Sequence, residues 1–228
     1  MSHEIRTPMN GILGFTELLN EPDLSGEEHT QFVEIIRKSG ERMLDTVNDI
    51  IDISKIDSGQ MDITKSFLNL NDEIKAQFDF FITEANAKGV EMKLFNNLPY
   101  RKISFSTDKN KLNSIISNLI KNAIKFTDVG HIDICCNKKG DNLEMSVSDT
   151  GIGIPKNRLQ SIFNRFEQAD ISDIHEREGS GLGLSITEAY VKMLGGHIGV
   201  KSEAGKGSTF YFTLPWSEKQ QEPENNNE

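Results

Sequence analysis

The sequence predicts an all-α helical hairpin that pairs into a dimeric four-helix bundle, followed by an α+β sandwich with a mixed sheet covered by helices on one face. Three observations predict it. Apolar residues recur every three to four positions as far as Ser58-Gly59, and two-residue alternation enters from Met61. The charge divides at about the same place: residues 1–65 hold 6 basic and 13 acidic side chains, whereas residues 66–217 hold 18 of each. Beyond the division, helical segments interleave with hairpin strands, as in a sheet covered by helices. The domains drawn from this are a hairpin over 1–60, a second domain over 61–217 and an acidic tail over 218–228. The tail has no apolar residue to offset its ordering entropy and is expected to be disordered.

Residues 1–20 carry Ile5, Met9, Ile12, Phe15 and Leu19 at helical spacing, and EPDLSG at 21–26 is a turn cluster. Ser25, with Glu28 three residues on, has capping-box spacing and starts a second helix that runs to about Ser58-Gly59. Its apolar stripe, from Phe32 through Ile36, Leu44 and Val47 to Ile51, is wider than one helix partner needs, which predicts the dimeric bundle. Residues 61–69 read as a strand, 71–88 as a helix stopped by Gly89, 91–95 as a short strand and 108–126 as a strongly amphipathic helix. Strands at 131–136 and 142–148 follow, then a short helix at 156–163, a polar stretch at 167–180 and a helix at about 182–194. Strands at 197–202 and 208–214 close the domain around the turn Ala204-Gly205-Lys206-Gly207.

Composition excludes several classes of function. A net charge of −10 on 228 residues argues against a nucleic-acid groove or an anionic membrane surface, both of which need basic patches. No apolar run approaches the ~20 residues that cross a bilayer, and no secretory leader is read at the start. Cys135 and Cys136 are adjacent in a strand and point to opposite faces, so they are expected as reduced thiols. His29, His131, His175 and His197 have no partner at zinc spacing. The first helix is visible for about 20 residues and the second for about 31, a mismatch of roughly 10–12 residues. It predicts that the hairpin continues upstream of Met1 and that His3 lies opposite about Leu44.

Four segments carry chemistry. In Ser2-His3-Glu4-Ile5-Arg6-Thr7-Pro8, a carboxylate follows a histidine and Thr7 lies one turn on, on the same helix face. A carboxylate that accepts the Nδ1 proton leaves Nε2 free as a nucleophile, although an exposed helical His beside an unrelated acid reads the same way. In NLIKNAIKFT, Asn118 and Asn122 stack four apart on an otherwise apolar helix. A carboxamide oxygen there suits Mg²⁺ and Lys125 suits phosphate, while a merely wet helix face stays open as an alternative. In DTGIGIP, Asp149 ends a strand beside Gly151 and Gly153, where the main chain can approach a flat ligand and the acid can accept from an exocyclic amine. A strand-end turn capped by Asp fits the same residues. Gly179, Gly181 and Gly183 precede a helix N-terminus, a place for phosphate.

In this order and spacing the segments resemble the sensor histidine kinases of two-component signalling, and the wording SHEIRTPMNGI resembles the hybrid subgroup. SHEIRTP is similar to the phosphoacceptor box, NLIKNAIKFT to the N box and DTGIGIP to the first glycine box. IFNRFEQAD is similar to the phenylalanine box and GSGLGLSI to the second glycine box. The resemblance covers about residues 1–215. It implies that His3 is phosphorylated, that Glu4 orients it and takes its proton, and that Thr7 places the attacking water in dephosphorylation. It implies Asn122 as the Mg²⁺ ligand with Asn118 nearby, Lys125 on phosphate, Phe126 beside the nucleotide and Asp149 on the adenine amine with Gly151 and Gly153 alongside. Gly179, Gly181 and Gly183 would line the phosphates, Thr209 would help at the adenine through water, and Arg177 is a candidate phosphate contact.

The cofactors so implied are ATP and Mg²⁺. The implied partners are a second copy through residues 1–60 and a response-regulator receiver domain in cis or in trans, with no nucleic acid. The resemblance implies a cytoplasmic fragment, joined to a membrane only through an upstream sensor region. Gyrase-like ATPases share the nucleotide fold but carry a general-base Glu one turn before the metal Asn. Asn118 stands there, and its amide takes no proton at neutral pH, which favours a kinase over a hydrolase. The 58–70 segment is expected to flex.

Overall fold

The computed structural model describes residues 2–98, 104–167 and 181–216, with backbone alone at 2–4 and 104. It begins with α1 (Ser2–Leu18) and α2 (Gly26–Asp57), which pack as an antiparallel hairpin. Ser25 caps α2 in a full capping box, its Oγ accepting from Glu28 N–H and Glu28 accepting from Ser25 N–H at 2.9 Å. Phe15 packs against Phe32 with tilted rings, centroids 5.4 Å apart, and Gly11 sits against Ser39. Counting eight residues outward from that contact brings position 3 of α1 level with about Val47, three residues beyond the Leu44 expected from loop counting.

The second half contains β1 (Ser66–Asn69), α3 (Leu70–Ala87), β2 (Val90–Asn96), β3 (Ser104–Thr107) and α4 (Lys109–Phe126). After these come β4 (Gly130–Lys139), β5 (Asn142–Asp149), α5 (Gly183–Met193), β6 (His197–Glu203) and β7 (Gly207–Pro215). The main sheet has the order β2-β4-β5-β7-β6, with β2 parallel to β4 and the other pairs antiparallel; β1 and β3 form a separate antiparallel pair. One face of the sheet is covered. Ile132, Ile134, Leu143, Met145, Val147, Phe210, Phe212 and Leu214 alternate inward against Leu112, Ile115, Leu119 and Ile120 of α4 and Ile186 and Val191 of α5. Cys136 lies on this buried face, where burial pushes its thiol up to about 12, and Cys135 points the other way; both are free.

Three expectations shift. The strand expected over 61–69 is only Ser66–Asn69, because side chains take the preceding backbone groups: Asp108 accepts from Thr64 N–H at 2.9 Å and the Lys111 ammonium donates to the Asp62 carbonyl. Those bonds also tie part of the segment expected to flex to the start of α4, leaving Ser58 to Met61, with Gly59 at φ +67°, outside them. The short helix at 156–163 is a single 3₁₀ turn, Lys156–Arg158, followed by turns. The third is a strand the periodicity did not predict, β3, a four-residue partner for β1.

The two halves touch. Ile50, Ile53 and Ile56 of α2 pack against the core of the second half, and the Tyr190 hydroxyl of α5 donates to Asp52 Oδ2 at 2.8 Å. Arg165 grips Asp57 with both terminal nitrogens. Among the described residues no helix is long and apolar enough to cross a membrane.

Candidate active site

Helix α4 is apolar on the face toward the sheet, and its flank presents Asn118, Asn122 and Lys125 at i, i+4 and i+7. All three line a cleft of about 750 Å³ together with Phe126, Asp149, Gly153, Gly181, Gly183, Thr187 and Ser208. The paired amides therefore face a cavity, neither bulk water nor the core. Lys88 holds the C-terminal end of α4 in place, its ammonium donating to the carbonyls of Ile124 at 2.7 Å and Lys125 at 3.1 Å. The Lys125 ammonium lies 4.7 Å from the Phe126 ring centroid.

Asp149 ends β5 and is buried. Its Oδ1 accepts from Gly151 N–H at 2.9 Å and Ser208 N–H at 3.3 Å. Both bonds land on one oxygen, so Oδ2 keeps its lone pairs for an amine donor. Burial raises the Asp149 pKa above the usual carboxylate value, and the two N–H donors partly offset it. A Cβ on Gly151 would collide with the Phe126 carbonyl. The loop is stitched on both sides: Ile152 N–H donates to Phe126 O at 3.2 Å, and Gly205 N–H donates to Ile152 O at 2.7 Å.

At the other end, Gly181 sits at φ +67° and leads into α5, whose N-terminus has no side-chain cap. Among the described residues no side chain caps its first N–H groups, which is the arrangement an anion would complete. Gly179 and Arg177 lie outside the described residues. Asn118 is bonded within the protein: its Nδ2 donates to Thr187 Oγ1 at 2.8 Å.

Thr209 does not line the cleft. Its hydroxyl lies 2.8 Å from Ser148 Oγ, on the opposite face of the sheet from Asp149. Side chains alternate along β7, so its neighbour Ser208, paired with Asp149, occupies the cleft side. The parity was present in the sequence, since Ser208 is in phase with Phe210, Phe212 and Leu214.

The far wall of the cleft was not anticipated. Arg42, Asp45, Thr46, Asn48, Asp49 and Asp52 of α2 form it, and Asp45 lies 3.8 Å from Lys121 of α4. His3 and Glu4 fall in the first turn of α1, whose backbone comes level with this stretch of α2; Thr7 is exposed one turn further on.

The donor chemistry fits Mg²⁺ and a nucleotide. Asn122 offers a carboxamide oxygen, and a hard cation completes such a site with phosphate oxygens and waters. Gly151 is not on the cleft lining: it packs against the Phe126 carbonyl and Asp149 Oδ1, behind Asp149 and Gly153, which do line the cleft.

Two family models match separate parts of the chain. Residues 107–218 match the family of histidine kinase-, DNA gyrase B- and HSP90-like ATPases, and residues 1–59 match the His Kinase A phospho-acceptor domain. The autoinducer 2 sensor kinase/phosphatase LuxQ of Vibrio vulnificus is 42% identical over 221 residues, 94% of this chain and 26% of LuxQ. Hybrid signal transduction histidine kinase L of Dictyostelium discoideum is 38% identical over 220 residues, 94% of this chain and 13% of its own length. Full-length ShkA, solved with AMPPNP, superposes with a TM-score of 0.74 at 27% identity, over 96% of this chain and 45% of that one. The chain thus spans about a quarter or less of the length of these curated relatives.

Proposed function

This chain belongs to the sensor histidine kinases of two-component signalling, and we propose from that premise that it phosphorylates itself on His3 from Mg·ATP and passes the phosphoryl group to an aspartate of a response-regulator receiver domain. One observation carries the reading. A single cleft holds Asn122, Asp149 and the glycine turn on one wall and α2 on the other, at the level of His3. The Asp149 carboxylate accepts the adenine amine. The uncapped first turn of α5 and Lys125 receive the phosphates. Asn122, with Asn118 close by, holds the Mg²⁺, which when bound neutralises charge on the transferring phosphoryl.

His3 forms the N–P bond as the bond from γ-phosphorus to the bridging oxygen breaks and ADP leaves. Glu4 orients the imidazole and takes its proton. Thr7 positions water when the receiver is dephosphorylated. Transfer from the subunit's own nucleotide or its partner's is set by how the hairpins cross in the bundle. The hairpin pairs with a second copy through residues 1–60, where Leu13, Val33, Leu44 and Ile51 are exposed. The similarity to hybrid kinases supports a receiver domain as partner, in cis or in trans, and an upstream sensor region would supply any membrane anchor.

Labelling with γ-phosphate-labelled ATP tests the reading. The product should be acid-labile and base-stable. His3→Gln should abolish the label and leave ATP affinity intact, while Asn122→Asp should weaken Mg·ATP binding as well. Hydrolysis by His3→Gln should be near background. Full labelling of His3→Gln would overturn the acceptor, and sustained hydrolysis would move the chain to the gyrase-like ATPases.

A further inference from the structure

Thr187 is in none of the motifs above, yet it sits where three parts of the ATP site meet. It lies in the second turn of α5, 2% exposed and on the cleft wall. Its Oγ1 accepts from Asn118 Nδ2 at 2.8 Å and donates to the Gly183 carbonyl at 2.8 Å. A hydroxyl has one proton, and here it goes to Gly183, so the partner across the helix gap must be a donor. The amide of Asn118 is one.

Gly183 makes the approach possible. A Cβ there would lie 2.5 Å from Asn118 Oδ1, and its φ is not in the left-handed region, so the space rather than the backbone conformation requires glycine. Gly183 begins the uncapped turn of α5 and follows Gly181 at φ +67°. The direction of the N–H groups in that turn therefore depends on how its first carbonyl is held.

We propose that Thr187 is a positioning residue which, by joining Asn118 of α4 to the carbonyl of Gly183, holds the glycine turn in the orientation that receives the ATP phosphates. The assignment rests on the ATP reading above and deepens it. It also accounts for an amide at position 118. A carboxylate there would set an acceptor against an oxygen whose only proton is already used. The side chain needed to clamp the turn is one that cannot serve as a general base for water.

The test compares Thr187→Val, which keeps the shape and removes the hydroxyl, with Thr187→Ser, which keeps the hydroxyl. Loss of one buried hydrogen bond should raise the Kd for Mg·ATP about tenfold in Thr187→Val. The Kd for adenosine, which reaches only the Asp149 end, should stay unchanged. Thr187→Ser should bind both as wild type does. In protein without nucleotide, amide exchange over residues 186–188 should speed up in Thr187→Val and in Asn118→Ala, and stay slow in Thr187→Ser. Wild-type exchange and affinity in Thr187→Val would overturn the proposal, as would equal losses of adenosine and Mg·ATP that serine fails to restore. If wild-type protein itself binds no Mg·ATP, the ATP reading fails, and the exchange comparison, which needs no ligand, still decides the clamp.

Discussion

The Tyr190 hydroxyl donates a 2.8 Å hydrogen bond to Asp52 Oδ2, and the two residues lie 138 positions apart, on α5 beside the cleft and on α2 of the hairpin. Tyr190 is 5% exposed, with the Lys111 ammonium 5.8 Å from its ring centroid. The bond joins the two halves at the wall of the cleft, beside the apolar contacts of Ile50, Ile53 and Ile56.

That contact makes docking pH-dependent. Burial first, and then the bond to Asp52, raise the Tyr190 pKa above the ordinary value of about 10. The docked state therefore holds the phenolic proton more tightly than the undocked state. Its contribution is complete below about pH 10 and is lost as pH rises through the raised value. Small-angle scattering should show wild-type protein expanding in that range. Tyr190→Phe should lack the alkaline step, and an identical step in both would exclude Tyr190 as its source.

Asp149 should show opposite effects on stability and binding. Its folded pKa is raised by burial, so the folded state binds more protons between the ordinary and raised values, and stability falls as pH rises through that window. Asp149→Asn removes the buried charge while its Oδ1 can still accept from Gly151 and Ser208. We expect the unfolding midpoint without nucleotide to rise by about 2 °C. Adenosine affinity should fall by about tenfold or more, because an acceptor of the amine is replaced by an amide. A variant that binds adenosine normally would remove Asp149 from the base-binding role.

Two glycines should fail in different ways when changed to alanine. Gly153 sits at φ +67°, and a Cβ there would run into the Glu203 carbonyl. Gly153→Ala should cost about 1–3 kcal/mol of stability, read by chemical denaturation. The atoms nearest a Cβ at Gly183 all belong to the Asn118 side chain, which can move, so the unfolding midpoint of Gly183→Ala should stay near wild type while Mg·ATP affinity drops. Equal destabilisation of both would contradict this.

The hairpin has its own prediction. Leu44 is 65% exposed, and Ile51 and Val33 are exposed at seven and eleven residues from it on the same helix. A double Leu44→Glu, Ile51→Glu variant should sediment as a monomer and bind Mg·ATP with unchanged affinity. A dimer of undiminished affinity would place the interface elsewhere.

The sequence by itself determined the local elements and most of the near wall of the cleft. Capping at Ser25, the apolar ladder of α4 and the stop at Gly89 are set by neighbours within a turn or two, and periodicity reads such neighbours directly. Asn118, Asn122, Lys125, Asp149, Gly153, Gly181 and Gly183, which line the cleft, were legible because each sits in a short segment whose spacing carries its chemistry. Tertiary structure decided what depends on pairing across distance. The choice of Ser208 over Thr209 follows from the register of β7 on β5, and a one-residue step in a strand changes the face. Thr187 gained a role only when α5 was laid against α4. The acidic wall of Asp45, Asp49 and Asp52 reads in sequence as the solvated side of a helix. It borders the cleft because Ile50, Ile53 and Ile56 and the Asp52–Tyr190 bond seat that helix on the second half, and no local pattern encodes where two bodies meet.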